Sequence, residues 1–328
     1  MLHAHALPAV ASRSTDPECG RIKPVDMFTE IVNNLASINV PLFRPIHGPT
    51  SVQKLMFNGI APIGIFDSGL GGMSVVEAIR RRLPGEAIVY IADTLYAPYG
   101  EKTDEFIRSR SLALAEWLAQ RGAKLLVIAC NTATTHAISY VRSRLAIPVI
   151  GVEPGIKPAV QVSGAKVVGV LATAATLRSH RLQALLSAHG HACRFICQAG
   201  HGLVELIEQG EATGSSIEAL LDKYLTPMIV DGADTLVLGS THYALLVPSI
   251  KRVFGDRLNL IETATAIARR VDHQLTDHQL HNDVNPSGSV LQLCSTAISA
   301  VQRAPLAKLA QMLALDERRV SAIDVETC

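Results

Sequence analysis

Two residues at matching places in this chain could work on opposite faces of one carbon. Cys130 closes the apolar run Leu125-Leu126-Val127-Ile128-Ala129 and is followed by Asn131-Thr132. Ser240 closes Leu236-Val237-Leu238-Gly239 and is followed by Thr241-His242-Tyr243. Each run has the length of a buried strand. Each stops at a small nucleophile-sized side chain with hydrogen-bonding residues behind it. Two such ends suggest two related half-sites facing one pocket. A thiol on each side of a bound carbon moves a proton from one face to the other. Here one side has the thiol and the other only a hydroxyl.

Cys130 is expected where a strand ends and a helix begins, and the helix N-terminus favours the thiolate. The competing reading is a small buried core cysteine. Asn131 and Thr132, with free backbone N–H groups, would cradle a carboxylate. Asp67-Ser68-Gly69-Leu70-Gly71-Gly72 is a strand-to-helix turn. Its spacing fits neither a dinucleotide fingerprint nor a Walker loop. Its Asp would repel phosphate, so it suits an ammonium group or a proton; a tight turn capped by Asp reads equally well. Ser240-Thr241-His242 lacks the elbow of a serine hydrolase. His189, His191, Cys193, Cys197 and His201 cluster in sequence without a standard zinc spacing, and read better as a solvated turn and a strand.

The elements that must position these residues alternate. Strands are expected at Ile63–Phe66, Ala87–Ile91, Leu125–Ala129 and Pro148–Val152, with helices at Ser74–Arg82, 103–121 and 132–144 between them. The order then restarts. Strands at Val167–Leu171, Arg194–Cys197, Thr235–Leu238 and Asn259–Glu262 are separated by helices after Thr176 and near 202–208, 215–228 and 245–254. Ile63-Gly64-Ile65 matches Val168-Gly169-Val170, as Cys130 matches Ser240, so the restart reads as a domain-sized duplication. The expected fold is α/β: two pseudo-symmetric, doubly wound parallel-sheet domains with the active site in the cleft between them, at the carboxyl ends of the strands. Residues 1–58 read as a weakly ordered N-terminal extension with one helical candidate at Met27–Ala36. Residues 59–153 with 263–328 read as the first domain, and 154–262 as the second. The part from Thr263 onward is expected to be mostly helical and to pack on the first half.

Composition narrows the classes. Of 328 residues, 48% are hydrophobic and 18% charged, with a net charge of +1, which leaves no basic excess for nucleic acid. Six cysteines, spread widely, fit a reducing compartment. No stretch has the length of a membrane span, and the N-terminus has no apolar core of signal type. The reading is a soluble cytoplasmic protein without nucleic-acid or membrane partners.

Taken together, the motifs resemble the glutamate racemase family from about Pro62 to Glu262. Ile65-Phe66-Asp67-Ser68-Gly69 through Gly72-Met73-Ser74-Val75 is similar to the family's opening. Ala97-Pro98-Tyr99-Gly100-Glu101-Lys102 resembles its substrate loop, and Ala129-Cys130-Asn131-Thr132-Ala133 its first catalytic segment. Glu153-Pro154-Gly155 and Thr173-Ala174-Ala175-Thr176 also fit. His242 after Thr241 favours glutamate over the related aspartate enzymes. The resemblance implies a cofactor-independent, metal-free isomerase in which one thiolate takes the α-proton and a second thiol returns one. It implies substrate contacts at Asp67, Ser68, Tyr99, Gly100, Asn131, Thr132, Thr241 and His242. Cys130 becomes the first catalytic cysteine, and Asp67, Glu208 and His242 assist as acid–base groups. It further implies glutamate as substrate, a role in peptidoglycan precursor supply, and a homodimer.

Three positions depart from the family's pattern. Ser240 stands where the second cysteine falls, Gly200-His201 where Cys-Pro falls, and Ala244 where Pro falls. A serine hydroxyl lies far above the operating range of a thiol and needs strong activation. The expected activity is therefore weakened at Ser240. The alternatives are a degenerate relative that binds an amino acid or a protein partner, and a one-base lyase or epimerase using Cys130 alone.

Overall fold

A computed structural model describes residues 61–282, 290–313 and 320–325, all within one compact unit, Gly48–Cys328. The expectations for residues 1–58, including the helix at Met27–Ala36, lie outside the described residues.

The chain first lays down β1 (Ile63–Asp67), α1 (Met73–Arg82), β2 (Ile88–Ala92), α2 (Asp104–Gln120), β3 (Leu125–Ile128), α3 (Asn131–Arg144) and β4 (Val149–Gly151). After α4 (Ile156–Val162) come β5 (Val167–Ala172), α5 (Ala174–Arg178), α6 (His180–His189), β6 (Arg194–Ala199), α7 (Leu203–Glu208), α8 (Ser215–Val230), β7 (Thr235–Gly239), α9 (Val247–Phe254) and β8 (Asn259–Ile261). The chain ends in α10 (Ala264–Asp277), β9 (Leu291–Ser295), α11 (Ala300–Met312) and β10 (Val320–Ala322).

One sheet has the order β10-β9-β2-β1-β3-β4 and the other β6-β5-β7-β8. Every ladder is parallel. The shared order is the duplication made visible: β1 sits between β2 and β3 as β5 sits between β6 and β7. The two matched glycines hold equivalent places, Gly64 opposite Leu126 and Gly169 opposite Leu236. A Cβ at Gly64 would stand 2.8 Å from Leu126 Cδ2, and one at Gly169 would stand 2.7 Å from Met228 Sδ. A side chain at either place would push the covering layer off its strand.

Alternation along each strand feeds two cores per sheet. Ile63 and Ile65 of β1 join Met73 and Ile79 of α1 and Ile267 and Val271 of α10. Phe66 turns to the other face, with Leu114 and Leu118 of α2 and Ile138 of α3. In the second sheet Leu236 and Leu238 pack under α7, α8 and α9, while Val168 and Val170 pack on Ile156 of α4 and Leu182 of α6. Each fully buried side chain of this kind contributes about 1.5–3 kcal/mol. Helices begin where capping side chains allow. Thr103 accepts from Phe106 N before α2, with Asp104 and Glu105 in the first turn.

Among the described residues after Thr263, α10 and α11 make the segment mostly helical and α10 packs on the first half, as expected. The strands β9 and β10, which extend the first sheet beside β2, were not expected. The strand Leu291–Ser295 is short and mixes Gln and Ser with Leu and Cys, so its sequence carries no clean period of two. Its partner in the sheet, and not its own pattern, makes it a strand.

Candidate active site

The polar residues gather where the carboxyl ends of the two sheets meet. Asp67 ends β1 and is fully buried. Its Oδ1 accepts from Ser68 Oγ and from Gly69 N, both at 3.1 Å. Its Oδ2 accepts from Thr241 Oγ1 at 2.8 Å, across 174 residues of chain. One carboxylate therefore caps its own turn and joins the first sheet to the second. Burial raises the Asp67 pKa, and the nearby His242, Thr241 and Gly69 offset only part of that.

Cys130 caps α3, with Ala133 N donating to Sγ at 3.4 Å. Its Sγ lies 3.5 Å from Ser68 Oγ. A continuous path thus runs Cys130–Ser68–Asp67–Thr241. The helix-terminus position is as the sequence suggests, and burial works against the thiolate expected there. Burial, and then the charge of Asp67, push the Cys130 thiol from 9.0 up to about 12, outweighing the hydrogen bonds from Ser68 and Ala133.

The second sheet supplies an imidazole and a carboxylate. His242 Nε2 and Glu208 Oε1 are 2.5 Å apart. The same oxygen accepts from Leu70 N at 2.6 Å, so α7 is fastened to the glycine turn after β1. Burial opposes the charged imidazole, but the hydrogen bond and charge of Glu208, with the charges of Asp67 and Glu205, carry its pKa upward. Glu205 sits three residues before Glu208 on α7; each keeps a buried Oε2 without a hydrogen-bond partner among the described residues. The glycines make the fit. A Cβ on Gly69 would lie 1.9 Å from Glu208 Oε1, and one on Gly71 would lie 2.5 Å from His242 N.

Ser240 ends β7, buried and without a hydrogen-bond partner for its hydroxyl among the described residues. It lines a small cavity with Ser74, Val75, Ala244 and Glu262. Asn131 spends its amide on Val152 O at 3.0 Å, and Thr132 Oγ1 meets Thr173 Oγ1 at 2.9 Å and Thr176 Oγ1 at 3.2 Å. These threonines tie α3 to α5 across the two halves. Tyr99 turns its phenol away from the cleft onto Asp93 Oδ2 at 2.5 Å, while Gly100 packs against Thr173.

The structure thus brings together Asp67, Ser68, Cys130, Thr241, His242 and Glu208 in direct contact, with Asn131 and Thr132 beside them. The sequence reading missed Glu205, Asp93 and Arg110. Asp93, at the end of β2, occupies the same kind of strand-end position as Asp67, which was the available signal. The His189–His201 cluster forms no metal-type grouping among the described residues: Cys193 is buried in the core, and Cys197 is exposed.

A thiol, two carboxylates and an imidazole lie together at the meeting strand ends of a pseudo-symmetric α/β protein. A family model described as Asp/Glu/Hydantoin racemase matches residues 67–271. The chain belongs to that family. The glutamate racemase of Cupriavidus pinatubonensis (strain JMP 134 / LMG 1197) is 55% identical over 220 residues, covering 67% of this chain and 81% of that protein. Among solved structures, glutamate racemase of Francisella tularensis subsp. tularensis SCHU S4 in complex with D-glutamate aligns with a TM-score of 0.71 at 27% identity, over 82% of this chain and 99% of that one. Escherichia coli glutamate racemase with L-glutamate and the activator UDP-MurNAc-ala gives 0.72 at 30% identity, over 81% and 99%.

Proposed function

We propose that this protein is an amino-acid racemase acting on glutamate, with proton transfer at the α-carbon carried by Cys130 and impaired on the opposite face by Ser240. The observation that carries the reading is the buried path Cys130–Ser68–Asp67–Thr241, flanked by the His242–Glu208 pair. Relatives that share 44–55% identity bear the name glutamate racemase, which supports the substrate.

The chemistry follows from the charges. The substrate ammonium enters beside Asp67 and supplies the positive charge this buried carboxyl lacks. That charge also favours the Cys130 thiolate, so the base forms when substrate arrives. Asn131, Thr132, Thr241, Ser68 and the Tyr99–Gly100 turn are assigned to the two carboxylates, with the hydroxyl protons that Ser68 and Thr241 give to Asp67 re-aimed when substrate binds. Cys130 takes the α-proton of D-glutamate. His242, whose pKa Glu208 raises against the effect of burial, assists on the other face. Ser240 stands where a second thiol would return the proton, and a neutral hydroxyl neither accepts an α-proton nor matches the required acidity.

The biological reading is cytoplasmic supply of D-glutamate for peptidoglycan precursors, and thereby cell shape, without cofactor or metal and as a homodimer. No helix among the described residues is long and apolar enough to cross a membrane. The second reading, a degenerate relative that binds an amino acid or a protein partner, is favoured by one observation, the hydroxyl that stands at Ser240 with no activating hydrogen bond among the described residues.

Proton NMR of each enantiomer in heavy water tests the first reading. The expected result is α-deuterium entering D-glutamate faster than L-glutamate, with slow net inversion and loss of exchange in Cys130→Ala. Exchange that persists without Cys130 would show that the base is misassigned. Binding without exchange would favour the second reading.

A further inference from the structure

The Tyr99–Glu101 turn is a short 3-10 segment between β2 and α2, outside both sheets. Its fixed shape comes from a buried set behind it. The Tyr99 phenol donates to Asp93 Oδ2 at 2.5 Å. Arg110, in the second turn of α2, grips the same carboxylate from both sides. Nε donates to Oδ2 at 2.9 Å and an Nη to Oδ1 at 2.7 Å. The other Nη donates to the carbonyl of Val325, which follows β10. Its guanidinium carbon lies 4.5 Å from the Tyr96 ring centroid, so an aromatic face covers it.

Asp93, Tyr99 and Arg110 are at most 1% exposed. An ion pair taken out of water this completely seldom adds stability over apolar side chains of the same volume. What it does supply is direction. Arg110 presents a planar fork that fits one carboxylate in one orientation. That orientation sets the phenol, and the phenol sets the backbone of Tyr99 and Gly100. Gly100 then lies so near Thr173 that a Cβ would stand 3.0 Å from the Thr173 Cβ. Thr173 in turn bonds Thr132.

We infer that Arg110 is a positioning residue for the substrate loop, and that the C-terminal segment Val320–Val325 belongs to the same device through the Val325 carbonyl. The inference rests on the reading of Tyr99 and Gly100 as substrate contacts. It adds what holds them: a buried charge pair anchored to a strand at the far edge of the first sheet. Loosening that edge strand would loosen the substrate loop, although β10 itself carries none of the residues assigned to the site.

Hydrogen exchange of the full-length protein, read by mass spectrometry, tests this without ligand. The reporter is the turn's own bond, Lys102 N to Tyr99 O at 3.1 Å. Arg110→Met leaves Asp93 buried without its cation and serves poorly if it unfolds. Tyr99→Phe and deletion of residues 325–328 leave the ion pair in place. Both should speed exchange at 99–102 by about tenfold or more, the scale of a lost hydrogen bond to a charged group, with β1 and β3 unchanged. Arg110→Lys, which keeps the charge but not the fork, should also loosen the loop. A calorimetric titration with D-glutamate should show weaker binding in the same variants, with a smaller change in the α-exchange rate at saturation. Unchanged exchange at 99–102 in Tyr99→Phe and in the deletion, or equal acceleration across the strands, would overturn the inference. If the native chain fails to bind D-glutamate, the glutamate reading fails, and the ligand-free exchange result still decides the positioning role.

Discussion

Ser240→Cys should raise racemisation in both directions. The structure lets the cost of the change be bounded first. Ser240 is buried, and its hydroxyl has no hydrogen-bond partner among the described residues, so replacing oxygen by sulfur breaks nothing there. The small cavity bordered by Ser74, Val75 and Ala244 receives the larger atom. A near-isosteric swap of this kind changes stability by less than about 1.5 kcal/mol. The chemical gain is larger. A matched acid–base group is worth about 10²–10⁴-fold, or roughly 3–5 kcal/mol of barrier. His242, two residues on and with its pKa raised by Glu208, favours a thiolate at position 240 to the extent that it carries a proton. Circular dichroism of each enantiomer, converted by native and variant protein, reads the rate directly. The expected gain is about a hundredfold or more, abolished again by Cys130→Ala in the same background. Equal turnover in native and variant protein would falsify the two-face argument.

Cys130 in the free protein should resist alkylation. Moving its pKa from 9.0 to about 12 cuts the thiolate fraction about a thousandfold at neutral pH, so iodoacetamide should label it far more slowly than exposed Cys197; rapid labelling would contradict the buried-thiol account. His242 has a raised folded pKa, so its ion pair stabilises fully below the unfolded value of about 6.5 and is lost as pH rises through the folded value. Thermal melts of native protein and His242→Asn should therefore differ most on the acid side of that window and converge above it. Gly69→Ala places a Cβ 1.9 Å from Glu208 Oε1 and must displace that carboxylate, so exchange should fall and the melting temperature should drop; wild-type values in both would refute the packing.

Much of the site was legible because strand ends announce themselves. An apolar run that stops at Asp67, Cys130 or Ser240 places those residues at the carboxyl edge of a parallel sheet before any coordinates exist. The duplication was legible for the same reason, and the shared strand order bears it out. Charge states were not legible. The helix N-terminus argued for a Cys130 thiolate, but the extent of burial and the neighbouring Asp67 are tertiary facts, and they reverse the sign. Strands β9 and β10 were missed because, at five and three residues, they are too short for an alternating pattern to declare them. Arg110 was missed because a single arginine in a long amphipathic helix reads as solvent-facing until the fold buries it against Asp93.

The two half-sites have diverged unequally, and the structure suggests which parts constrain which. The Cys130 side is closed: thiol, Ser68, Asp67 and the Asn131–Thr132 pair all have partners. A change at any of them would leave a buried polar atom unsatisfied. On the opposite side the Ser240 hydroxyl caps no helix and bonds no side chain among the described residues, and Glu205 and Glu208 each hold a buried oxygen without a partner there. A residue without partners is free to change at little cost in stability, which is the condition under which a thiol can become a hydroxyl while the fold stays intact. The residues that cannot change so freely are those that join the halves. Asp67 with Thr241, and Glu208 with Leu70 N, serve the interface between the sheets as well as the chemistry. They would persist even in a relative that only binds. Their presence therefore speaks for the fold and not for turnover. The case for turnover rests on Cys130, whose thiol caps α3 and also heads the path to Asp67.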